Sequence, residues 1–266
     1  MHDIIIIGAG MAGLTAAIYA ARAGKSVLVL ESGVIGGQIV DAPAVDNWPG
    51  NFKTSGKDLM DKISHQANEL GAEIKYEEVV SIDKIEKIID GNSESKNEKP
   101  VFTVKTDEGE YSCSAIIIAV GTEPRKLSEA QAKDAGERPI SYCATCDGAL
   151  YKGKPVVVVG SGNTAKQEIK YLEGICSKVY HIHHDNPIPK DAEAVFVAIG
   201  RVPATDFVKG LVELDSDGYI VADESCITSC PGIFVAGDCR TKTVRQLVTA
   251  AGDAAVAAGT AVKYLG

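Results

Sequence analysis

Two cysteines separated by two residues, Cys143 and Cys146, are the side chains of this sequence best suited to redox chemistry. At this spacing two thiols form either a small disulfide or a reactive dithiol. An acidic residue, Asp147, follows the pair directly. The spacing therefore predicts one redox-active pair in the chain.

The sequence contains seven cysteines, an odd number, so it does not indicate a structural disulfide framework. A zinc site remains an alternative for the pair but needs further ligands at suitable spacing. Cys226 and Cys230 are four positions apart and have no obvious histidine partner. We therefore favour the redox pair over a metal site and predict no bound metal.

A glycine-rich turn near the start of the chain is typical of dinucleotide binding. Gly8, Gly10 and Gly13 follow an aliphatic strand and open a helix, and Glu31 ends the next strand. In this pattern the first glycine permits the turn, the second lets a pyrophosphate approach, and the third allows close helix packing. A carboxylate at the second strand can accept hydrogen bonds from ribose hydroxyls. A plain tight turn is the alternative, but the context of the motif is complete.

A second candidate for cofactor binding is Gly237 with Asp238, which follow a buried strand near the end of the chain. The aspartate could bond the polyol part of a flavin. It could equally be a helix cap, since aspartate is common at that position.

The hydrophobic pattern predicts an α/β protein in which a strand–helix–strand unit is used twice. The first unit comprises strand 3–7, helix 11–23 and strand 26–30; the second comprises strand 155–160, a helix to about Glu173 and strand 178–183. Antiparallel strands are predicted at 73–80, 81–90, 101–105 and 110–118, with a solvated hairpin loop at 91–99. Later elements are strands at 194–200 and 232–238 and a helix from about Val244 to Tyr264.

Composition narrows the class of protein. The net charge of -9 argues against non-specific nucleic-acid binding. No apolar run approaches the ~20 residues of a membrane span, and the first strand is too short for a signal-peptide core. We expect a cytoplasmic protein.

Together, these motifs resemble the low-molecular-weight thioredoxin reductases. The resemblance runs almost end to end through Gly8 to Gly13, Gly36 to Gln38, Asn47 to Gly50 and Cys143 to Asp147, and then through the pairs Gly237-Asp238 and Arg245-Gln246. It implies a two-domain FAD-dependent disulfide reductase fold, with a Rossmann-like FAD domain and a shortened inserted second βαβ domain. The implied boundaries are 1–118 with 199–266 for the FAD domain and 119–198 for the small dithiol domain.

The resemblance also implies bound FAD, thioredoxin as substrate, and a homodimer. Cys143 and Cys146 are implied to exchange electrons with the flavin, and Asp147 to act as acid/base near the dithiol; a surface turn residue is the alternative for Asp147. The implied cofactor-binding residues are Gly8, Gly10, Gly13, Glu31, Gly36, Gly37, Gln38, Asn47, Val80, Gly121, Gly237, Asp238, Arg245, Gln246 and Leu247.

The second βαβ unit departs from the NADPH-dependent members of that family. It keeps Gly160, Gly162 and Ala165, but His183, His184 and Asp185 stand where the family has arginines that grip the 2′-phosphate. Imidazole and carboxylate cannot replace bidentate phosphate binding. The domain is also short for a complete nicotinamide crevice. We therefore interpret this unit as a vestigial nucleotide site.

The departures make the chain similar to the ferredoxin-dependent flavin thioredoxin reductases of anaerobic bacteria, which implies reduced ferredoxin as electron donor. Acidic and basic residues balance within 119–198, so the rest of the chain carries the whole charge of -9. This neutral region, with its lysines, suits an acidic partner, although an ordinary solvated surface has the same composition. Two alternatives stay open: an NAD(P)H-dependent disulfide reductase and a non-enzymatic flavin redox sensor.

Overall fold

The computed structural model describes residues 1–42, 44–85, 100–183 and 186–266, and the backbone but not the side chain of Cys146. The chain divides into two compact units, Met1–Thr122 with Pro203–Gly266, and Glu123–Val202. The borders predicted from sequence lie four residues earlier on each side.

The first unit is a mixed sheet covered by helices. Its strands are β1 (His2–Ile7), β2 (Val27–Glu31), β3 (Glu73–Tyr76), β4 (Val79–Ile85), β5 (Val101–Thr106), β6 (Glu110–Ile118) and β13 (Ile233–Val235). Their order in the sheet is β3-β2-β1-β6-β5-β4, with β13 paired to β6. Its helices are α1 (Met11–Arg22), α2 (Gly56–Glu69) and α6 (Leu247–Leu265), with short 3-10 turns at Gly37–Asp41 and Asp206–Val208.

The aliphatic residues of β1 show why this strand is central. Ile4 and Ile6 pack in a cluster with residues of α1 and α6, whereas Ile5 and Ile7 pack with Phe102 on the other face. Side chains alternate between faces along a strand, and each fully buried isoleucine contributes about 1.5–3 kcal/mol. Burial on both faces therefore fixes β1, and with it the turn that comes after it.

The second unit contains a four-stranded parallel sheet. Its strands are β8 (Ile140–Ser141), β9 (Pro155–Val159), β10 (Lys178–Ile182) and β11 (Val195–Val197), and its helices are α3 (Glu129–Ala135), α4 (Ala144–Asp147) and α5 (Asn163–Glu173), with a 3-10 turn at Gly148–Tyr151. The strand order is β10-β9-β11-β8. Two further strands, β7 (Thr122–Pro124) and β12 (Arg201–Pro203), form a separate two-stranded sheet.

Both strand–helix–strand units are found at the predicted places, but the prediction for 73–118 was partly wrong. β3 pairs in parallel with β2, and only β4, β5 and β6 form antiparallel pairs. The predicted break between 80 and 81 falls inside β4. Predicted strand positions 86–90 and the loop 91–99 lie outside the described residues.

Helix α2 was missed, although Ser55 caps it by accepting a hydrogen bond from the N–H of Asp58. Its buried Leu59, Met60 and Ala67 recur at helical spacing. This capping and spacing signal was present in the sequence. The short elements α3, α4 and β8 were also not predicted.

Candidate functional site

The first glycine turn needs its glycines for two different reasons. Gly8 has φ = 101°, and a Cβ there would lie 2.5 Å from the carbonyl oxygen of Ala119. A Cβ on Gly13 would lie 1.8 Å from the oxygen of Gly8. By contrast, Gly10 is the N-cap of α1 and a Cβ there would meet nothing within 4 Å. Packing within the protein therefore excludes side chains at Gly8 and Gly13, whereas Gly10 borders open space.

Glu31, at the end of β2, has a carboxylate held by the backbone. Its Oε2 accepts from the N–H of Ala9 at 2.7 Å, and its Oε1 accepts from the N–H of Gly33 at 2.8 Å. Each carboxylate oxygen retains further acceptor capacity. Glu31 is thus oriented by the glycine turn itself and can still accept from ribose hydroxyls.

A cavity of about 390 Å³, called here the cradle, opens at the carboxyl end of β1 and the start of α1. Twelve of the sequence-predicted residues line it: Gly8, Gly10, Glu31, Gly36, Gly37, Gln38, Gly121, Gly237, Asp238, Arg245, Gln246 and Leu247. The structure adds Met11, Ala12, Ile39, Ala119, Val120, Thr122 and Ala250. Met11 and Ala12 are the variable positions between Gly10 and Gly13 of the glycine motif. The other additions belong to no motif, so sequence reasoning had no signal for them.

Three predicted residues do not line the cradle. Gly13 has no contact with the cradle but allows the start of α1 to pack closely against the carbonyl oxygen of Gly8. Asn47 donates from Nδ2 to the Gln246 Oε1 at 3.0 Å and so contacts a lining residue. Val80 lies in β4, where the pairing with β5 shifts register between Val79 and Ser81, and its side chain is 60% exposed. The structure therefore gives Val80 no place in the cradle wall.

A buried ion cluster supports the loop that carries Asp238. Asp253 Oδ2 accepts from Arg240 Nε at 3.0 Å, from Lys242 Nζ at 2.7 Å and from the N–H of Gly237 at 3.1 Å. Burial alone would raise the pKa of Asp253, but hydrogen bonds from the two cations outweigh it and lower that pKa. The cluster ties α6 to the turn at Gly237.

The cradle fits a dinucleotide. The first N–H groups of α1 have no acceptor within their helix, and no acidic residue occupies its first turn. A helix N-terminus of this kind attracts phosphate, and the open space at Gly10 allows close approach. Glu31 then lies at the strand end where a ribose is expected.

The dithiol segment lies in the second unit. Cys143 is disulfide-bonded, whereas Cys113, Cys176, Cys226, Cys230 and Cys239 are free thiols. The side chain of Cys146 lies outside the described part of the chain, so the pairing of 143 with 146 stays a prediction. The backbone of Cys146 belongs to α4.

Ser141 is a site residue that sequence reasoning missed. Its hydroxyl donates to Asp147 Oδ2 at 2.7 Å and accepts from the N–H of Cys143 at 3.1 Å. The Thr145 hydroxyl lies 3.4 Å from the Cys143 sulfur. One buried hydroxyl thus connects the disulfide segment to the acid at its end.

Three of the buried free thiols, Cys113, Cys226 and Cys239, have low reactivity because of their burial. Burial raises the pKa of Cys113 and of Cys239 to about 12 and that of Cys226 to about 11. Since the thiolate is the reactive form, these thiols are poor nucleophiles near neutral pH.

The second glycine turn has nearly the geometry of the first. Gly160 has φ = 144°, and a Cβ there would lie 2.2 Å from the oxygen of Ala198. Gly162 is the N-cap of α5, and a Cβ there would meet nothing within 4 Å. A cavity of about 710 Å³ adjoins this turn and is lined by Arg125, Lys126, Gly160, Ser161, Gly162, Thr164, Ala198, Ile199, Gly200 and Val202.

The second turn thus keeps a close-packed glycine and an open helix start, and two basic residues, Arg125 and Lys126, line the cavity beside it. The interpretation as a vestigial site therefore depends on the residues after β10 and on the short length of the domain. His183 is exposed there, and His184 and Asp185 lie outside the described residues.

Within the described ranges, no group of three or more His, Cys, Asp or Glu residues is arranged to hold a metal ion. Among the same residues, no helix is long and apolar enough to cross a membrane.

Comparison with known proteins gives concordant matches. The family model described as pyridine nucleotide-disulphide oxidoreductase matches residues 2–191 and 185–255. The chain is similar to a thioredoxin reductase of Listeria innocua. The two are 37% identical over an alignment of 313 positions, which covers 100% of this chain and 94% of the relative.

Two solved structures are also similar. A thioredoxin reductase of Lactococcus lactis superposes with a TM-score of 0.84 at 29% identity, covering 100% of this chain and 99% of that one. A ferredoxin-flavin thioredoxin reductase of Clostridium acetobutylicum superposes with a TM-score of 0.62 at 29% identity, covering 99% and 97%.

Proposed function

The chain belongs to the pyridine nucleotide-disulphide oxidoreductase family, whose thioredoxin reductases are FAD-binding flavoproteins, and on this premise we propose that it reduces thioredoxin with electrons from reduced ferredoxin. The observation that carries the reductase function is the disulfide-bonded Cys143 beside Ser141 and Asp147, in a chain that also holds the cradle.

The cradle residues hold FAD. The N–H groups at the start of α1 bind the pyrophosphate, Gly10 permits its approach, Glu31 accepts from ribose, and Asp238 bonds the polyol chain. Bound FAD, once reduced by two one-electron transfers from ferredoxin, would supply the two electrons that open the disulfide. The buried Asp253 cluster keeps the Asp238 loop in position.

The dithiol carries the electrons to thioredoxin. The Cys143–Cys146 disulfide gains two electrons and two protons and becomes a dithiol. The family resemblance assigns Cys146 as the sulfur that reacts with the flavin, and Asp147 exchanges a proton with the pair. The thiolate of Cys143 then attacks the thioredoxin disulfide and forms a mixed disulfide. Attack by Cys146 on Cys143 releases reduced thioredoxin, and the disulfide forms again.

Ferredoxin as donor is supported by three points. His183, His184 and Asp185 replace the phosphate-binding arginines, and region 119–198 has no net charge with which to repel an acidic donor. One similar structure is named a ferredoxin-flavin thioredoxin reductase.

A second donor, NADH or NADPH, is favoured by a different observation. The second glycine turn keeps an open helix N-terminus, and Arg125 and Lys126 line the adjacent cavity. This donor set suits a nucleotide pyrophosphate.

Anaerobic stopped-flow spectroscopy of the flavin distinguishes the donors. Reduced ferredoxin should bleach the oxidised flavin rapidly, and NADH or NADPH at millimolar concentration should not. Rapid bleaching by either nucleotide and none by ferredoxin would overturn the donor assignment while leaving the reductase assignment intact.

A second assay tests thioredoxin reduction itself. Cys143→Ser should retain FAD and lose thioredoxin turnover, whereas Cys176→Ser, at a partly exposed free thiol, should keep both. If the native protein reduced no thioredoxin with any donor, a flavin redox sensor would be the better description.

A further inference from the structure

Helix α5 places a carboxylate on its buried face. Ala165 and Leu172 of this helix belong to an apolar cluster that also contains Ala144 of the dithiol segment. Glu168 is three residues after Ala165 and four before Leu172, so the helical repeat puts it on the same face. Burying a glutamate carboxylate at such a position costs free energy unless a partner compensates its charge or donates hydrogen bonds to it.

The partner of Glu168 is the dithiol segment itself. Its carboxylate receives a hydrogen bond from the backbone N–H of Ala144, the residue that follows Cys143 and begins α4. The Oε2 atom of Glu168 is buried and has no hydrogen-bond partner among the described residues. Burial raises the pKa of Glu168 to about 7, and the Ala144 hydrogen bond opposes that rise only in part.

Among the residues that the structure describes, no charge compensates this carboxylate. The titratable or charged groups on the segments packed against it, within the described residues, are Asp147 and Tyr151 near the dithiol, Lys166, Lys170, Tyr171 and Glu173 on α5, Cys176 in the turn after α5, and Lys178, Tyr180 and His181 on β10. None of them contributes to the shift at Glu168, which comes from burial and the Ala144 hydrogen bond. Asp147 is bonded to Ser141.

We propose that Glu168 is a positioning residue of the dithiol: it holds the backbone N–H that begins the Cys143–Cys146 turn, and its charge controls how readily the reduced pair loses a proton. This inference rests on the proposed function only in taking Cys143 and Cys146 as the redox pair.

The physical reason is electrostatic. An anionic carboxylate beside the start of α4 opposes formation of a thiolate in the same turn, and it also offsets the attraction of the helix N-terminus for that anion. A neutral Glu168 does neither. The pKa of the reactive thiol should therefore depend on the ionisation state of Glu168, while the backbone contact at Ala144 is maintained.

The variant Glu168→Gln tests this, because glutamine keeps an oxygen that can accept from Ala144 and removes the charge. The FAD-loaded protein is reduced with dithiothreitol, which supplies two electrons and two protons to the disulfide and becomes a cyclic disulfide. After its removal, alkylation of the 143–146 peptide by iodoacetamide is followed by mass spectrometry between about pH 6 and pH 9. Glu173→Gln, at an exposed position of the same helix, is the matched control.

In the native protein, a plot of alkylation rate against pH should show two inflections, one at the pKa of the thiol and one near the pKa of Glu168. Glu168→Gln should lose the second inflection and lower the thiol pKa by about half a unit to one unit, which is about a threefold to tenfold faster alkylation below that pKa. Glu173→Gln should match the native profile. An unchanged profile in Glu168→Gln would overturn the proposal.

Two further outcomes are informative. If Glu168→Gln does not fold, a native profile with a single inflection would overturn the proposal by itself. If dithiothreitol releases no alkylatable thiol at Cys143, the redox-pair assignment fails, and this outcome is distinct from failure of the Glu168 inference alone.

Discussion

Replacing Gly10 by valine should separate folding from cofactor binding. Gly10 has φ = -75° and ψ = -171°, a conformation that β-branched residues adopt readily. A Cβ at this position meets no protein atom within 4 Å. The new side chain therefore projects into the open space where a pyrophosphate must approach.

The expected magnitudes differ widely for the two properties. Stability of the apoprotein should change by no more than about 1 kcal/mol, because the substitution is unstrained and reduces the entropy of the unfolded chain. Cofactor binding should lose about two charge-assisted hydrogen bonds at roughly 1.5–3 kcal/mol each. That sum of about 3–6 kcal/mol corresponds to roughly a hundredfold to ten-thousandfold weaker FAD binding.

The assay combines calorimetric titration of apoprotein with FAD and thermal unfolding of the same apoprotein. Gly162→Val is the matched control, since Gly162 has φ = -80°, ψ = -175° and the same open surroundings at the second turn. That control should bind FAD normally. Gly13→Ala should instead destabilise the fold, because its Cβ would lie 1.8 Å from the oxygen of Gly8. Native FAD affinity in Gly10→Val would refute the cradle assignment.

Three further changes have defined outcomes. Ser141→Ala removes the hydroxyl that donates to Asp147, so thioredoxin turnover should fall about tenfold or more in a steady-state assay while FAD stays bound; unchanged turnover would contradict the role given to Asp147. Asp253→Asn leaves Arg240 without its buried anion and should lower the free energy of unfolding by about 3–5 kcal/mol in urea titrations; a loss below ~1 kcal/mol would argue against the cluster. Because the pKa of Glu168 is raised from 4.5 to about 7, its stabilising contribution is present below pH 4.5 and is lost as pH rises to about 7. After allowance for solvent screening this amounts to about 1–2 kcal/mol, and urea titrations across that window should show the loss in the native protein but not in Glu168→Gln.

The two strand–glycine turn–helix units could be identified from the sequence because their determinants are local. An aliphatic run, a glycine turn and an alanine-rich or amphipathic segment follow one another within about 30 residues. The structure places β1, α1, β9 and α5 within a residue or two of the predicted positions. Helix α2 has similar local determinants in its Ser55 cap and the spacing of its apolar residues, so it was also predictable from the sequence.

Strand pairing was less predictable because two strands that pair in a sheet can be far apart in the sequence. β3 has a pattern compatible with an antiparallel hairpin, yet it pairs in parallel with β2. A strand's own sequence gives its periodicity but not its neighbour, which depends on how much apolar surface the whole sheet buries.

The sequence alone determined the chemistry that the chain can perform: a cysteine pair for disulfide exchange, two glycine turns for nucleotides, and the absence of a phosphate-binding arginine pair after β10. Only the tertiary structure decided which distant residues meet. It joined Asn47 to Gln246, placed Asp253 behind Gly237, and brought Glu168 to the N–H of Ala144. Local backbone preferences act over a few residues and can be read in order, whereas these contacts arise when separate segments pack to bury their apolar faces, and that packing is a property of the folded chain.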